Sequence, residues 1–499
     1  MHGPADSPGL LTRRRAGVLL HPTSLPGPGT NGTLGDSARR FVDFLAESGF
    51  SVWQTLPLGP VDEHGSPYSL SSAYAGDVRL IDPASLGQLG ELPRDLPFES
   101  LHADRRVLYD AFRQHASGPQ IEAFSHFVHC ERDWLVPYAL FVLCAERFRT
   151  KAWWHWPGDF ADRDDDALRE LRANEAHGVD SIAFRQYLFA LQWSAVKAYA
   201  NERGVFVFGD LPFYMDRASA DVWWDRRYFA LDSAGEPLAV AGVPPDYFSE
   251  DGQLWGNPLY DWQAMQSDDF AWWRKRLAFQ LERFDLLRID HFRALESFWS
   301  VPADAQSAKE GHWVPGYGDA LLQALAHNGP LPLVAEDLGI ITDAVRELRD
   351  RFHLPGMAVL QFAFDGSPDN PHLPANVAQN SVFYTGTHDN DTLRGWFDRL
   401  DSGMRSAVAH TLGVGVDSLP ASMLRTALET RAKLVILPLQ DLLDLGSAAR
   451  MNTPGTVEGN WRWRFEWSQF AAGLGMRMKK LLQETDRCRP DSPTRQEEE

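Results

Sequence analysis

The sequence has 499 residues, of which 44% are hydrophobic and 23% are charged, as is typical of a globular chain that buries a large core. Lysine and arginine number 48 against 68 aspartate and glutamate. The formal net charge of −20 argues against nucleic acid and against an anionic membrane as partners, because both require basic patches. No apolar run approaches the length of a membrane span.

The cysteines and the N-terminal segment indicate the compartment. Cys130, Cys144 and Cys488 are far apart and form no CxxC pair, so they predict neither a disulfide framework nor a zinc site. Arginines at residues 13–15 precede an apolar run as in an export signal, but His21 stops the run too early. We therefore expect a cytoplasmic protein.

Eight short apolar runs recur along the chain, and most end in a polar residue. Runs of this length and composition are typical of strands that are buried on both faces. In order they are AGVLL before His21, SVWQTLPL from Ser51, GVFVFGD ending at Asp210, LLRID ending at Asp290, LPLVAED containing Glu336, GMAVLQFAF at residues 356–364, SVFYTGTHD ending at Asp389, and AKLVILPLQD ending at Asp441.

Helical patterns lie between several of these runs. The segment DSARRFVDFLAESG predicts a helix with Asp36 as N-cap and an end at Gly49, and TDAVRELRDRF predicts a second that starts at Thr342. Alternating strands and helices indicate an α/β fold of the (β/α)₈ or TIM-barrel type, with an open doubly wound sheet as the structural alternative.

We expect one catalytic barrel domain over residues 16–486, with flexible ends at residues 1–15 and 487–499. Two connections are too long for a plain barrel, and we expect mostly helical inserted subdomains there. One spans about residues 59–203, between strands two and three, and the other spans about residues 217–285, between strands three and four. Part of the second, residues 240–262, is rich in Gly, Pro and aromatic residues, as in an ordered binding loop or lid.

Acidic residues follow four of the predicted strands, where a TIM barrel carries its catalytic groups: Asp210, Asp290, Glu336 and Asp389. One acidic residue at a strand end is most often a cap or turn former. Four on the same rim favour an active site.

The neighbours of two of these residues predict different protonation states. Arg288 stands two residues before Asp290, so both side chains share a strand face, and the guanidinium should lower the pKa of Asp290, as a nucleophile requires. Glu336 has apolar neighbours and no cation within four residues, so a desolvated, protonated general acid is expected. Asp337 should point the other way and be structural.

Two such carboxyls on adjacent strands fit the cleavage of a glycosidic bond. At a separation of about 5–5.5 Å they would retain configuration through a covalent glycosyl-enzyme. Asp389 would then bind ring hydroxyls, and His291 and His388 are candidates for the same task. The 18 Trp, 12 Tyr and 29 Phe residues fit either core packing or a groove for sugar rings.

Two other classes of function stay open from the residues alone. Asp210, Asp290 and Glu336 could hold Mg²⁺ in an enolase-type barrel lyase, although no lysine base stands at a predicted strand end and Arg288 would compete with the metal. A non-catalytic sugar-binding barrel would not need the paired carboxyls.

The motifs also resemble those of a known family. In order, HPTSLPG, WQTLPLGP, GSPYSLSSAYAGD, GDLPFY with SADVW, VPPDYF through GQLWGNPLYDW, LLRIDHFR, AEDLG, GMAVLQFAF, TGTHDNDT, and RMNTPGT with NWRWR resemble the amylomaltases, which are 4-α-glucanotransferases or disproportionating enzymes. The resemblance runs from about Gly17 to Arg464. It implies transfer of α-1,4-glucan segments to the 4-OH of another glucan or of glucose.

The resemblance also implies roles for individual residues and no cofactor or metal. Asp290 would be the nucleophile, Glu336 the general acid/base and Asp389 the transition-state stabiliser. The substrate-binding residues would be Tyr68, Asp210, Asp246, Tyr247, Phe248, Trp255, Arg288, His291, Phe362, His388 and Asn460. The carboxyl pattern by itself leaves a retaining α-glucan hydrolase open, and it does not predict the oligomeric state.

Overall fold

The structure, a computed structural model, describes residues 10–489 except 28, 91, 95 and 246–249. Within these residues the chain forms twelve strands: β1 (Arg15–Leu19), β2 (Val52–Gln54), β3 (Phe206–Leu211), β4 (Ala239–Val243), β5 (Gln253–Pro258), β6 (Leu286–Ile289), β7 (Ser297–Pro302), β8 (His312–Pro315), β9 (Leu333–Ala335), β10 (Gly356–Val359), β11 (Ser381–Tyr384) and β12 (Leu434–Pro438).

Eight of the strands form one parallel sheet in the order β10-β11-β12-β1-β2-β3-β6-β9. The two outer strands meet where Ala335 N donates to Pro355 O at 2.8 Å, and this contact brings the sheet round into a barrel. Each of the eight strands overlaps one of the eight apolar runs, with β1 beginning one residue before its run and β3 ending one residue after its run, so the predicted (β/α)₈ barrel is confirmed.

Side chains that alternate along the strands fill the barrel interior. Phe208, Leu286 and Val334 belong to this inner cluster, whereas their strand neighbours pack outward against the helices. Packing inside is close at Gly17, where an added Cβ would lie 2.6 Å from atoms of Val52. The inward positions are therefore filled up to the level at which the strands end.

The helices cover the outside of the barrel and build the insertions. They are α1 (Asp36–Glu47), α2 (Pro83–Leu86), α3 (Arg105–His115), α4 (Gly118–Phe148), α5 (Gly158–Ala161), α6 (Asp165–Asn174), α7 (Ala176–Glu202), α8 (Ala220–Trp224), α9 (Trp262–Ser267), α10 (Ala271–Arg283), α11 (Gly318–Leu325), α12 (Asp343–Arg351), α13 (Leu393–Arg399), α14 (Ser402–Leu412), α15 (Ala421–Glu429), α16 (Leu439–Leu442) and α17 (Leu474–Glu484). Over the part of the chain that is described, no helix is both long and apolar enough to cross a bilayer.

Helices α2 to α7 form the insertion between β2 and β3, which is helical as the sequence predicts. The second insertion differs from its prediction, because it is not mostly helical. Its strands β4 and β5 join β7 and β8, which follow β6, in an antiparallel sheet of order β5-β4-β7-β8. The sheet forms because segments that precede β6 pair with segments that follow it. The sequence of each segment taken alone does not predict this pairing.

Two predicted helix starts can be compared with the structure. Thr342 is the N-cap of α12, as predicted, and its hydroxyl accepts a hydrogen bond from Val345 N. Asp36 is instead the first residue of α1, and Gly35 occupies the cap position. An acidic side chain in the first turn still interacts favourably with the helix dipole.

The chain ends that the sequence analysis assigned to flexible segments include packed residues. Arg15 already belongs to β1, and Arg14 Nη2 donates to Thr430 O at 2.8 Å. Arg487 is fully buried and donates to the carbonyls of Arg15, Leu428 and Thr430. The folded body therefore reaches further towards both ends than residues 16–486, while residues 1–9 and 490–499 lie outside the described residues.

Candidate active site

The inward-facing positions of three neighbouring strands change from apolar to charged at the carboxyl end of the barrel. Asp210 lies near the end of β3, Arg288 lies in β6 with Asp290 directly after it, and Glu336 directly follows β9. Each stands two or four residues after an apolar inner residue, so strand alternation turns all of them towards one cavity at the rim.

Arg288 joins two of the carboxylates. Its Nη1 donates to both oxygens of Asp210 at 2.9 and 2.7 Å, and its Nη2 lies 2.8 Å from Asp290 Oδ1. Burial alone would lower the pKa of Arg288, but the negative charges of Asp210 and Asp290 raise it well above its ordinary value. The guanidinium is therefore a fixed positive charge between two carboxylates. A Mg²⁺-dependent lyase would need its metal ion at this same position, between these carboxylates.

The two carboxylates that contact Arg288 differ in their exposure to solvent. The Asp210 side chain is completely buried, whereas the Asp290 side chain is 28% exposed. Tyr68 adds a hydrogen bond to Asp210, since its hydroxyl donates to Oδ2 at 2.8 Å. Asp210 is thus used to hold Arg288 and Tyr68, while Asp290 keeps an oxygen towards the cleft, as a nucleophile needs.

Glu336 directly follows β9, which pairs with β6, and so lies beside this group. Burial raises its pKa to about 7, the Arg288 charge opposes this shift, and the negative charge of Asp290 adds to it. Its Oε2 accepts a hydrogen bond from His291 N at 2.9 Å, and its Oε1 accepts one from Leu338 N at 3.1 Å. The carboxyl is oriented by backbone and retains its proton near neutrality.

Asp337 points away from the cavity, as the sequence predicts. Its Oδ1 accepts a hydrogen bond from Met357 N at 2.6 Å, and Arg349 binds its other oxygen. This carboxylate therefore joins α12 to the start of β10 and takes no part in the cavity.

The chain turns at His291, directly after β6 and Asp290. Its φ of +47° is unusual for a residue other than glycine, and this conformation aims its N–H at Glu336. Burial lowers the pKa of the imidazole to about 4, so the ring is neutral at pH 7. The ring of Trp255 stands edge-on to it at 4.8 Å between centroids, and Tyr214 lies at 6.4 Å.

The loop after β11 brings His388 and Asp389 to the other side of the cavity. His388 stacks on Tyr68 with ring centroids 5.2 Å apart, and its Nε2 lies 3.4 Å from Asp389 Oδ2. Asn452 Nδ2 donates to Asp389 Oδ1 at 2.7 Å. Burial and the charge of Asp210 hold the pKa of Tyr68 well above its ordinary value, so its hydroxyl remains a donor.

The structure thus groups most of the predicted site residues around one cavity. Phe362 lies half-buried at the same end of the barrel interior, with its ring 5.6 Å from His372. The side chain of Asn460 holds its own loop, because Oδ1 accepts a hydrogen bond from Thr453 N and Nδ2 donates one to Thr456 O, and its predicted sugar contact stays a prediction. Asp246, Tyr247 and Phe248 lie outside the described residues.

Sequence reasoning missed four residues of this site. Asn452 and Arg450 bind the side chain and the carbonyl of Asp389, Trp461 lies 5.9 Å from the His388 ring, and Tyr214 faces Trp255. Their signal was present, since three of them lie in the RMNTPGT and NWRWR motifs and Tyr214 ends GDLPFY.

Comparisons with known proteins agree with this geometry. A family model described as 4-alpha-glucanotransferase matches residues 20–469. The chain is 45% identical to a 4-alpha-glucanotransferase of Synechocystis over 92% of this chain and 95% of the relative, and 43% identical to one of Thermus thermophilus over 95% and 99%.

Among solved structures, an amylomaltase from Streptococcus agalactiae in complex with acarbose superposes with a TM-score of 0.89 at 34% identity, covering 95% of this chain and all of that one. The match extends over the barrel, both insertions and the rim that carries the carboxylates. The chain belongs to glycoside hydrolase family 77, the amylomaltases, and its activity is that of a 4-α-glucanotransferase on α-1,4-glucans.

Proposed function

We propose that transfer proceeds through a covalent glycosyl-enzyme on Asp290, with Glu336 as general acid and then general base. The observation that carries this proposal is the contrast between the two carboxyls. Asp290 contacts the guanidinium of Arg288 at 2.8 Å, whereas burial raises the pKa of Glu336 to about 7. One group is therefore held as the anion that attacks and the other as the acid that donates a proton.

The two chemical steps use the same pair of groups. In the first, an Asp290 oxygen bonds to C1 of the donor sugar, the C1–O bond breaks, and Glu336 gives its proton to the departing 4-oxygen. In the second, the ionised Glu336 takes the proton of the acceptor 4-OH, that oxygen attacks C1, and the ester to Asp290 breaks. Two inversions at C1 restore the α configuration.

Asp389 and the aromatic residues near it would bind the sugar that reacts. Asp389 approaches from the loop after β11, beside the Tyr68–His388 stack, and can accept hydrogen bonds from ring hydroxyls. Such bonds strengthen as the ring flattens and positive charge develops at C1, so they accelerate the reaction rather than only tightening binding.

We infer that the hairpin formed by β4 and β5 excludes water from the glycosyl-enzyme until an acceptor binds. Gly252 and Gly256 have φ values of +69° and +79°, and Trp255 between them reaches His291. Gly242, by contrast, lies inside β4 and is paired with Leu254 on β5 and with Trp299 on β7, so it belongs to the sheet and not to the turn of the hairpin. Shortening this hairpin should raise the ratio of hydrolysis to transfer.

The substrates we infer are α-1,4-glucans and maltooligosaccharides as both donor and acceptor. The family assignment supports them, and the acarbose complex of the Streptococcus agalactiae relative supports saccharide binding. The cytoplasmic location and the independence from a cofactor stay predictions.

Incubation with maltotriose, followed by chromatography, tests the proposal. We expect glucose together with a ladder of longer maltooligosaccharides from the wild type, and no products from Asp290→Ala. Asp343→Asn, a carboxylate that is 91% exposed on α12, controls for loss of charge and should leave the ladder unchanged. A ladder from Asp290→Ala at the wild-type rate would rule out a glycosyl-enzyme on this residue.

A further inference from the structure

One buried carboxylate outside the cavity binds both ends of the loop that carries His388 and Asp389. Thr385 Oγ1, at the start of the loop, donates to Asp441 Oδ2 at 2.6 Å. Leu393 N, at the start of α13, donates to Asp441 Oδ1 at 2.7 Å. The two donors are eight residues apart in sequence, so this carboxylate closes the loop at its base.

Asp441 reaches this position from the neighbouring strand. It follows β12 in the short helix α16 and is only 5% exposed, while Thr385 is completely buried. Burial raises the pKa of Asp441 to about 6, so above that pH the side chain is an anion that can accept both hydrogen bonds. Bonds of this charge-assisted kind are shorter and stronger than those between neutral groups.

The middle of the same loop is held by a second carboxylate. Asp391 Oδ2 accepts from Ser447 Oγ at 2.7 Å and lies 2.8 Å from Arg399 Nη2. The carbonyl of Asp391 accepts from Gln361 Nε2 at 2.8 Å. Between these fixed points, Asp389 projects into the cavity with a side chain that is 48% exposed. Its position therefore depends on how the loop is anchored from below.

We propose that Asp441 is a positioning residue for the transferase reaction, which acts by holding Thr385 and Leu393 and thereby sets the place of Asp389. The inference builds on the role given to Asp389 under the proposed function. Asp389 works only where charge develops on the sugar, so its oxygen must be placed to within a fraction of an ångström. A displacement of about 1 Å at such a group can cost about 100-fold in rate.

Thr385 offers the least disruptive test, because Thr385→Val removes one of the two bonds and keeps the side-chain shape. We expect kcat for maltotriose disproportionation to fall by about 10- to 100-fold with KM changed less than about 3-fold. Thr385→Ser restores the donor and should return kcat to within about 3-fold of wild type. Asp444→Asn removes an exposed carboxylate that binds Arg394 on α13, and it should leave kcat unchanged.

If Thr385 and Asp441 served stability alone, the variants would differ in folded fraction and not in kcat per folded molecule. A role in stability alone predicts that Thr385→Val loses activity in proportion to the folded fraction, which thermal melting and circular dichroism measure. A kcat that follows the folded fraction, or a Thr385→Ser variant as slow as Thr385→Val, would overturn the proposal.

Combining the substitution with Asp389→Asn separates this inference from the proposed function. With α-maltosyl fluoride as donor, Thr385→Val should slow the Asp389→Asn enzyme much less than it slows the wild type, because the group it positions is already disabled. Equal slowing in both backgrounds overturns the inference alone. Asp389→Asn activity equal to wild type overturns the role of Asp389, and the inference falls with it.

Discussion

Arg288 and Asp210 form a buried ion pair in which one guanidinium nitrogen lies 2.9 and 2.7 Å from the two carboxylate oxygens. The other terminal nitrogen of Arg288 is left for Asp290, at 2.8 Å. The guanidinium fork is therefore divided between a carboxylate that holds it, Asp210, and Asp290, the carboxylate that we propose as the nucleophile. A lysine ammonium is a single point and cannot make both contacts with this geometry.

Arg288→Lys should therefore keep the fold and lose most of the activity. We expect kcat/KM for maltotriose to fall by about 100-fold, because Asp290 loses either its charge partner or its orientation. Arg288→Met should also lower the free energy of unfolding by about 3–5 kcal/mol, since it leaves Asp210 buried without its charge partner and with the Tyr68 hydroxyl as a neutral donor. Urea titration measures this loss, and Arg288→Met with Asp210→Asn should recover part of it; no recovery would contradict the pairing.

The raised pKa of Glu336 predicts the alkaline side of the pH profile. The first chemical step needs the protonated acid, so kcat/KM for maltotriose should decline as pH rises above about 7. Glu336→Gln should lower the rate by about 10²- to 10⁴-fold and abolish this decline.

A donor whose leaving group needs no proton provides the control for that profile. With α-maltosyl fluoride, departure of fluoride requires no acid, and kcat/KM should no longer fall above pH 7. An identical decline for both donors would mean that a group other than Glu336 titrates there.

The barrel and its acidic rim could be predicted because both depend on local sequence. A strand that is buried on both faces is apolar throughout, and the first charged inward position marks where the interior ends. Glu336 stands two residues after the inner Val334, and Asp290 stands four after the inner Leu286 with Arg288 between them, so the patterns of LLRID and LVAED place both carboxyls at the rim.

The parts that were missed depend on contacts between distant segments. The antiparallel sheet pairs β4 with β7, so Val240 lies opposite Val301, and neither strand has the length or burial to predict this alone. Asn452 is 63 residues from Asp389, and only the folded chain shows that its amide donates to the carboxylate of Asp389. Asp441 ends an apolar run of the sequence, but its two partners, Thr385 and Leu393, come from the loop that follows β11.

Substitution of Arg487, which lies far from the active-site cavity, should lower the stability of the protein. Its guanidinium is fully buried and donates to the carbonyls of Leu428, Thr430 and Arg15 at 2.6, 2.6 and 2.9 Å. Arg487→Met would remove all three of these donors, although Leu428 O and Thr430 O would still accept from Arg14 Nη2 at 3.0 and 2.8 Å, and we expect the free energy of unfolding to fall by about 1–3 kcal/mol. Arg477→Met, which removes one exposed contact to Ala472 O, should change it by less than about 0.5 kcal/mol. Equal urea midpoints for the two variants would contradict this role.

Trp255 and Leu254 allow the acceptor side of the cleft to be tested with a matched pair. They are neighbours on β5, so their side chains point to opposite faces of the antiparallel sheet. Trp255 faces His291 with ring centroids 4.8 Å apart and is 37% exposed, whereas Leu254 is 43% exposed and lies on the other face, opposite Gly242. Of these two side chains, we expect only the indole to cover an acceptor sugar beside Asp290 and Glu336.

Trp255→Ala should raise the KM for glucose as acceptor by about 3- to 10-fold, the loss expected for one aromatic contact. The variant should also hydrolyse more of the glycosyl-enzyme for each transfer, because water reaches the glycosyl-enzyme more easily when the acceptor is held less well. Both quantities come from initial rates of glucose and maltooligosaccharide formation at several acceptor concentrations. Leu254→Ala should match the wild type in both, and a Trp255→Ala enzyme that also matches it would show that the acceptor is held elsewhere in the cleft.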